Sequence, residues 1–483
     1  MAAALVPHVL VVPFPAQGHM IPVLDLVGFL VARGLHLTVV ATPPRGPWTS
    51  PHRHCYPVTG PLLAPLLGGA IRAVTLLFPT HLAFPAGIES AKGCPPALMG
   101  TLIVAFTGLR GPLSSWVRAR SGSPDRIVAI LSDFFGWTQP LAAELGLPRI
   151  TFSCCAVYGA AVLHSLLRQL PRREDENDDE CPIPFPNLPS VPVYPRRQLS
   201  LMYRTYKEGD EHIPVARGTY MEVPLADMGF RRMRAVGPLA PEADATENHG
   251  GETAVTTANL CAWLDKFEDD KSPGHAAVLQ PGHAAALATA LERTGVAFVW
   301  AVCPAVTLPN GFEERAVSGG RGTVIRGWAP QVNALRHQAL GWFVTHCGWN
   351  SVLESVAAGV TILAWPMTAD QFVNARLLVD ELHAAVPVCW GGVKMAPSTD
   401  GLVRVLESTV VGKEWDGELG DVAARTKELV EEAAAARCEK VAARGGRWRS
   451  WRGSSTSLED DFFFKRDIAG EAKLHLLCIK NLE

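Results

Sequence analysis

Apolar positions near the start of the chain follow two spacings, which predict a strand, a helix and a second strand in turn. Residues His8 to Val12 (HVLVV) form a continuous β-branched run, typical of a strand buried on both faces of a parallel sheet. From His19 the apolar residues follow helical spacing, and Gly34 ends the predicted helix. His36 to Ala41 (HLTVVA) is the next predicted strand. This order predicts a doubly wound α/β domain, in which ligands bind at the carboxyl ends of the strands.

Similar patterns recur after a stretch of linker composition and predict a second α/β domain. Its predicted elements are a helix over Ala284 to Arg293 and strands over Val296 to Val302, Thr323 to Arg326 and Trp342 to Thr345. We therefore expect an N-terminal domain at residues 1–240, a linker at 241–258, a C-terminal domain at 259–443 and a tail of different character at 444–483.

Composition narrows the class of protein. The 483 residues carry a formal net charge of -3 and are 48% hydrophobic, which fits two globular domains and argues against nucleic acid as a partner. The eleven cysteines include no C-x-x-C pair, as expected of reduced thiols. Because neither a signal peptide nor an apolar run of 18 residues is recognisable, we predict no membrane span and a cytoplasmic location.

Two polar residues follow predicted strands where ligands collect. His19 lies at a helix start, whose positive end disfavours the imidazolium and so favours a neutral ring that can accept a proton. Asp133 follows the predicted strand Ile127 to Leu131 and could orient His19, or it could cap the helix around Trp137 to Leu145. On the residues alone both interpretations stay open. A histidine in such a place is more often structural than catalytic.

One stretch of 44 residues, Trp328 to Gln371, has the residue types of a pocket for a phosphorylated molecule with an aromatic base. Trp328 can stack on a planar base and Gln331 can pair with its edge, although a core tryptophan at a helix start fits as well. A strand-to-helix turn in its middle offers N–H groups to a diphosphate. The candidate residues of that turn are His346, Gly348, Trp349, Asn350 and Ser351.

Three later residues of this stretch each have two interpretations. Ser351 to Glu354 fits the S-x-x-E capping box, and spacing alone favours that role for Glu354 over ribose binding. Asp370 and Gln371 could begin the predicted helix Phe372 to Leu382, or they could bind sugar hydroxyls. The carboxylate of Asp370 would then accept hydrogen bonds, and the carboxamide of Gln371 could both donate and accept them.

A possible metal cluster at His52, His54 and Cys55 has no fourth ligand at zinc-like spacing, so a solvated loop is favoured there.

The stretch Trp328 to Gln371 resembles the signature box of the plant family-1 UDP-glycosyltransferases at nearly every defining position. The resemblance covers most of residues 8–436 and is carried also by PFPAQGHMIPVLDL, LLFPTHLAFPAGIESAKGCPP, LSDFF, RAVGPLAP, AWLD and GFEER. Members that glycosylate flavonols and other phenolics are the most similar. The resemblance implies a GT-B fold, in which two Rossmann-like α/β domains with parallel sheets face each other across a cleft.

On the donor side, the resemblance implies that Trp328 and Gln331 bind uracil. Glu354 is expected to bind the ribose, which reverses the preference for a helix cap. The residues His346, Asn350 and Ser351 are assigned to the diphosphate. Asp370 and Gln371 are assigned to the sugar, and Gln371 indicates glucose rather than galactose.

On the acceptor side, the resemblance implies that His19 is the general base and Asp133 its partner. The expected reaction is an inverting transfer of glucose from UDP-glucose to a hydroxyl of a flavonoid or other small phenolic. UDP-glucose is a donor substrate, and no cofactor or metal is implied; the chain also contains no Asp-x-Asp motif. We expect a monomer with a UDP-sugar and a phenolic acceptor as its partners.

Three places depart from the family pattern and support an alternative function. After AWLD, residues Asp270 to His275 run directly into AVLQPGHAAALA, so we expect a strand and its following turn to be missing there. Pro214 to Thr219 replaces a longer segment, and the tail after Arg437 does not resemble the family's closing helix. The alternative is a catalytically impaired, nucleotide-sugar-binding relative. A dehydrogenase is disfavoured because no G-x-G-x-x-G follows the first strand.

Overall fold

A computed structural model gives the fold. It describes residues 6–42, 69–82, 88, 90–91, 94–95, 98–134, 136–171, 178–188, 190–204, 233–236, 253–267, 273–276, 280–368, 370–411, 421–429, 431 and 476–481. The segments Pro214 to Thr219 and His52 to Cys55 lie outside these residues. In the described part, parallel sheets flanked by helices form the α/β architecture that the sequence predicts.

Among the described residues, the N-terminal sheet has the strand order β3-β2-β1-β4-β5-β15-β8. Its strands are β1 (His8–Val12), β2 (His36–Ala41), β3 (Ile71–Thr75), β4 (Ile127–Ser132), β5 (Arg149–Ala156), β8 (Met233–Val236) and β15 (Leu476–Asn481). The first five are parallel, and all five residues of β1 are buried. The two predicted opening strands are therefore confirmed.

The expected tail contributes to this sheet at its described residues. Strand β15 pairs antiparallel with β5 on one side and with β8 on the other. A separate antiparallel hairpin joins β6 (Pro182–Pro184) and β7 (Val193–Pro195). The tail thus supplies a strand to the N-terminal sheet rather than only an appendage to the second domain.

Helices flank the N-terminal sheet. They are α1 (Gln17–Val31), α2 (Met99–Phe106), α3 (Arg110–Arg118), α4 (Thr138–Leu145), α5 (Val157–Gln169) and α6 (Leu201–Arg204), with short 3-10 turns at Thr107–Leu109 and Arg196–Gln198. The apolar residues of α1 that predicted it are its buried face, including Met20, Val23 and Val27. Gly146 ends α4 in the left-handed conformation, with a φ of 64°, which glycine adopts without a steric penalty.

The C-terminal sheet, as far as it is described, has the order β11-β10-β9-β12-β13-β14. Its strands are β9 (Pro273–Ala276), β10 (Phe298–Val302), β11 (Gly322–Arg326), β12 (Trp342–Thr345), β13 (Thr361–Ala364) and β14 (Ala385–Pro387). All of these pairings are parallel.

Strand β9 corrects one expectation from the sequence. The strand that we expected to be missing after AWLD is present at Pro273–Ala276, at the centre of the sheet between β10 and β12. Its residues are poor strand formers, but the backbone groups of two parallel neighbours are available to pair with it. The turn expected after it, residues 277–279, lies outside the described residues.

Helices also flank the C-terminal sheet. They are α7 (Thr257–Leu264), α8 (Pro281–Thr294), α9 (Phe312–Ser318), α10 (Gln331–Leu335), α11 (Trp349–Ala358), α12 (Gln371–Arg376) and α13 (Thr399–Leu406), with π-helical turns at Leu377–Glu381 and Glu407–Val411 and a 3-10 turn at Gly392–Lys394. Helix α7 begins inside the expected linker because the Thr256 hydroxyl accepts the Asn259 backbone N–H. Within the described residues, no helix combines the length and the apolar character that a membrane crossing requires.

The two domains share part of their core. One cluster of buried apolar side chains runs from the N-terminal strands and α1 to Trp349, Val352 and Val356 on α11 of the C-terminal domain. Hydrogen bonds also cross between the domains, for example from the Arg197 guanidinium to the Trp390 carbonyl. The shared cluster brings the N-terminal part of α1, at Met20, close to the N-terminal end of α11, at Trp349.

Candidate active site

His19 and Asp133 are in direct contact, although they are 114 positions apart. The Nδ1 atom of His19 lies 2.8 Å from Oδ2 of Asp133. Asp133 is 1% exposed and follows β4, so β1 and β4, which are adjacent in the sheet, deliver the two residues together. The alternative role as a helix cap is wrong, because α4 has Trp137 at its N-cap and no side-chain capping bond.

The carboxylate of Asp133 is held in place by the backbone. Its Oδ2 accepts the Phe14 N–H at 3.3 Å and its Oδ1 accepts the Phe134 N–H at 2.7 Å. These two bonds fix the orientation of the carboxylate toward His19. An ionised Asp133 requires the Nδ1–H tautomer of His19, which leaves the Nε2 atom as the proton acceptor.

Two aromatic rings fix the orientation of the His19 ring. The centroid of Phe14 lies 5.4 Å away at an interplanar angle of 76°, and that of Phe134 lies 5.2 Å away at 57°. The His19 side chain is 26% exposed, so one edge of the ring remains accessible. The ring is therefore held in one position but open to a substrate.

The protonation of His19 differs from the expectation. Burial alone lowers its pKa, but the charge and the hydrogen bond of Asp133, with a further contribution from the charge of Asp370, hold the pKa above its ordinary value of 6.5. The helix N-terminus was expected to favour the neutral ring, and the two carboxylates outweigh it. Asp370 belongs to the C-terminal domain, so charges from both domains act on the pKa of His19.

The site contains the one group of possible metal ligands found among the described residues, namely His19, Asp133 and Cys154. Their ligand atoms lie within 4.8 Å of one another. A cysteine binds metals as the thiolate, and burial raises the pKa of the Cys154 thiol well above its ordinary range. The Nδ1 atom of His19 is also occupied by Asp133, so the group is better explained as a proton-accepting pair with a neighbouring thiol.

On the donor side, three candidate residues contact one another. The Nε2 group of Gln331 donates to Oε2 of Glu354 at 2.7 Å and to the Ser351 hydroxyl at 3.3 Å. The capping box is wrong, because the N-cap of α11 is Gly348 and no side chain caps this helix. Trp328 is half-buried at the end of β11, which leaves part of its indole accessible for stacking.

A tight turn connects β12 to α11. Cys347 has a φ of 62°, in the left-handed region, and is fully buried. A Cβ atom at Gly348 would lie 2.5 Å from Nε2 of His346, so only glycine permits the imidazole to lie against this turn. The turn thereby presents the first N–H groups of α11, which have no partner within the helix, to the cleft.

Two residues of the turn differ from a simple diphosphate ligand. The indole of Trp349 is 4% exposed and packs into the apolar cluster shared by the domains, so its side chain is a core element. Asn350 donates from Nδ2 to the carbonyl of Gly18 at 2.8 Å, across the two domains. The backbone of Trp349 and part of the Asn350 amide remain suited to an anion.

The expected sugar-binding pair is fixed by further hydrogen bonds. Oε1 of Gln371 accepts the N–H groups of Met367 and Thr368, at 3.0 and 2.9 Å, which orients the amide so that its Nε2 group can serve as a donor. Oδ2 of Asp370 accepts from Nδ2 of Asn374 at 3.1 Å. Asn374 is fully buried and is not among the residues predicted from the sequence.

Asn374 connects Asp370 to the turn between β12 and α11. Its Nδ2 group also donates to the Cys347 carbonyl at 3.0 Å. Its Oδ1 atom accepts no hydrogen bond among the described residues and lies 3.3 Å from the position of a Cβ at Gly159 on α5. A polar residue one turn after Asp370, on the buried face of a helix, was the available sequence signal.

Proteins with sequences similar to this chain belong to one family. The chain matches the model of the UDP-glucoronosyl and UDP-glucosyl transferase family over residues 274–415, which include the whole stretch from Trp328 to Gln371. The flavonol 3-O-glucosyltransferase UGT89B1 of Arabidopsis thaliana is 39% identical over 445 residues, which cover 85% of this chain and 89% of the relative.

Solved structures agree in fold. The crystal structure of Arabidopsis thaliana UGT89C1 complexed with UDP-L-rhamnose matches with a TM-score of 0.64 at 30% identity, covering 91% of this chain and 98% of that one. The structure of the same enzyme complexed with quercetin gives a TM-score of 0.63 at 30% identity, covering 89% and 95%. The paired sheets, the donor stretch and this similarity together show that the chain belongs to the plant family-1 UDP-glycosyltransferases, enzymes of the GT-B fold.

Proposed function

We propose that the protein is a UDP-glucose-dependent O-glucosyltransferase that transfers glucose, with inversion, to a hydroxyl of a flavonoid or similar phenolic. The observation that carries the proposal is the His19–Asp133 pair, in which Asp133 occupies Nδ1 of the partly exposed His19 ring and leaves Nε2 as the proton acceptor. The charge of Asp370 on His19 supports a short distance between the base and the expected sugar site.

In the proposed reaction, Nε2 of His19 accepts the proton of the acceptor hydroxyl. The acceptor oxygen forms a bond to the anomeric carbon of glucose, and the bond from that carbon to the diphosphate oxygen breaks. The electron pair of the broken bond leaves with UDP. Attack opposite to an α-linked leaving group gives a β-glucoside, and the charge of Asp133 stabilises the imidazolium that forms.

The donor stretch has a defined part in this reaction. The N–H groups at the start of α11, with His346 and Ser351, receive the negative charge that develops on the leaving diphosphate. Gln331 and Glu354 bind the uridine, with Trp328 stacking on the base. We propose that these groups suffice without a cofactor or metal ion, so that a chelator leaves the rate unchanged.

The identity of the transferred sugar is the most specific part of the proposal. Asp370 accepts hydrogen bonds from sugar hydroxyls, and the Nε2 group of Gln371 donates hydrogen bonds to them. This pair of groups suits glucose. Of the relatives, UGT89B1 is a flavonol 3-O-glucosyltransferase and UGT89C1 was crystallised with UDP-L-rhamnose. Both sugars therefore belong in the test.

The test uses purified full-length protein with quercetin as the probe acceptor and UDP-glucose, UDP-galactose or UDP-L-rhamnose as the donor. We expect a glucoside as the main product by mass spectrometry, with the β configuration by the anomeric proton coupling in NMR. Binding of UDP by calorimetry without any glycoside from these donors would favour the catalytically impaired alternative. An α-glucoside would contradict inversion.

A further inference from the structure

One hydrogen bond joins the donor stretch directly to the residue before the proposed base. Nδ2 of Asn350, in the first turn of α11, donates to the carbonyl oxygen of Gly18 at 2.8 Å. Gly18 precedes His19 in the first turn of α1. The two residues are 332 positions apart and belong to different domains, so this hydrogen bond forms only when the two domains pack against each other as they do here.

The carbonyl of Gly18 is available because of a proline. In an α-helix, the carbonyl of residue 18 accepts the N–H of residue 22. Residue 22 is Pro22, which lies inside α1 and has no N–H to donate. The carbonyl of Gly18 therefore lacks its helical donor, and the carboxamide of Asn350 takes that place.

We propose that Asn350 is a positioning residue that sets the location of His19 relative to the donor, through the Gly18 carbonyl that Pro22 leaves open. The inference rests on the proposed function for its catalytic meaning. It differs from the assignment of Asn350 to the diphosphate alone.

A carboxamide suits both tasks at once. Its nitrogen carries two N–H groups, so one can donate to Gly18 while the second donates to a diphosphate oxygen. The side-chain amide of Asn350 would then bind the UDP-sugar donor and the Gly18 carbonyl, next to His19, at the same time. On the other side of the turn, the thiol of Cys154 lies 3.6 Å from the His19 carbonyl, so the N-terminal domain holds the same turn from β5.

A rescue experiment tests the role in catalysis. Asn350→Ala is compared with Pro22→Ala and with the double variant, at saturating UDP-glucose so that weaker donor binding does not enter. We expect Asn350→Ala to lower kcat about 10²-fold through misplacement of the base. The double variant should recover about tenfold of that loss, because the new N–H at residue 22 satisfies the Gly18 carbonyl within the helix.

This recovery is specific to the proposed role. Residue 22 has no part in diphosphate binding, so a double variant as slow as Asn350→Ala would show that Asn350 acts on the diphosphate alone and would overturn the inference. An Asn350→Ala enzyme with unchanged kcat would also overturn it. UDP affinity measured by calorimetry confirms that each variant is folded and binds.

A second measurement does not depend on turnover. Amide hydrogen exchange of residues 20, 21, 23 and 24 is compared in the unliganded wild type and Asn350→Ala, with Asn310→Ala as the control at an exposed loop position. We expect exchange about fivefold faster in Asn350→Ala alone, the effect of one lost hydrogen bond. Unchanged exchange would show that the contact is absent in solution, whereas a wild type that forms no glycoside would contradict only the proposed function.

Discussion

The two sides of the site are organised in different ways before any substrate binds. On the N-terminal side, Asp133 has its oxygens occupied by His19 and by backbone N–H groups, and none of these bonds has to break for proton transfer. On the C-terminal side, Gln331 and Glu354 bind each other, and a uridine bound by them as proposed would replace that bond. The proposed base is therefore preformed, whereas the proposed donor-binding residues bond to each other until a ligand replaces that bond.

The largest effect should come from removing the preformed base. In His19→Ala, we expect kcat/KM to fall by about 10²- to 10⁴-fold, the usual contribution of a positioned base. UDP affinity, measured by calorimetry, should stay unchanged because the donor pocket is on the other side. Activity equal to that of the wild type would rule out the proposed mechanism.

Asp133→Asn should have the next largest effect, about 10²-fold on kcat, because the imidazolium loses its stabilising charge. The charge and hydrogen bond of Asp133 raise the pKa of His19, so the variant should have a lower one. A base works only when it is deprotonated, so the acid limb of kcat/KM, above pH 6.5 in the wild type, should move to lower pH.

The control for Asp133 is Asp125→Asn, a change at a carboxylate that is 37% exposed and bonds to Arg72. Its pH profile should match that of the wild type. An acid limb that does not move in Asp133→Asn would show that another group sets the titration.

On the donor side, Glu354→Gln keeps the size of the side chain but removes the acceptor charge. We expect UDP to bind about tenfold more weakly, the value of one hydrogen bond to a charged group, with kcat at saturating donor nearly unchanged. Glu314→Gln, an exposed position, is the matched control. If Glu354→Gln binds UDP with the affinity of the wild type, Glu354 has only a structural role.

Asn374→Ala should have the smallest effect. It removes the bonds that hold Asp370 and the Cys347 carbonyl, so we expect the KM for UDP-glucose to rise about fivefold, as for loss of about 1 kcal/mol. Affinity for UDP, which lacks the sugar, should fall less. Equal losses for both ligands would mean that Asn374 supports the turn rather than the sugar site.

The sequence predicts the parts of this molecule that depend on local pattern. The β-branched runs of β1 and β2 match the structure residue for residue, because continuous apolar strands are typical of a buried parallel sheet. The donor stretch was recognised for a similar reason, since its turn and helix start lie within a few residues of one another.

The features that the sequence did not predict depend on distant partners. Strand β9, with the residues Pro-Gly-His-Ala, has no strand pattern of its own and forms between two neighbours supplied by later parts of the chain. The pKa of His19 is raised by a carboxylate 114 positions away. The bond from Asn350 to Gly18 spans 332 positions, so no local spacing could reveal it.

The apolar cluster shared by the two domains has a consequence for unfolding. Its buried residues include members of β1, β2, β4, β5 and α1 on one side and of α11, β13 and the segment after α12 on the other. Separation of the domains would expose these side chains to water on both faces. We therefore expect one cooperative heat-absorption peak in calorimetry, with equal van't Hoff and calorimetric enthalpies, rather than two successive domain transitions.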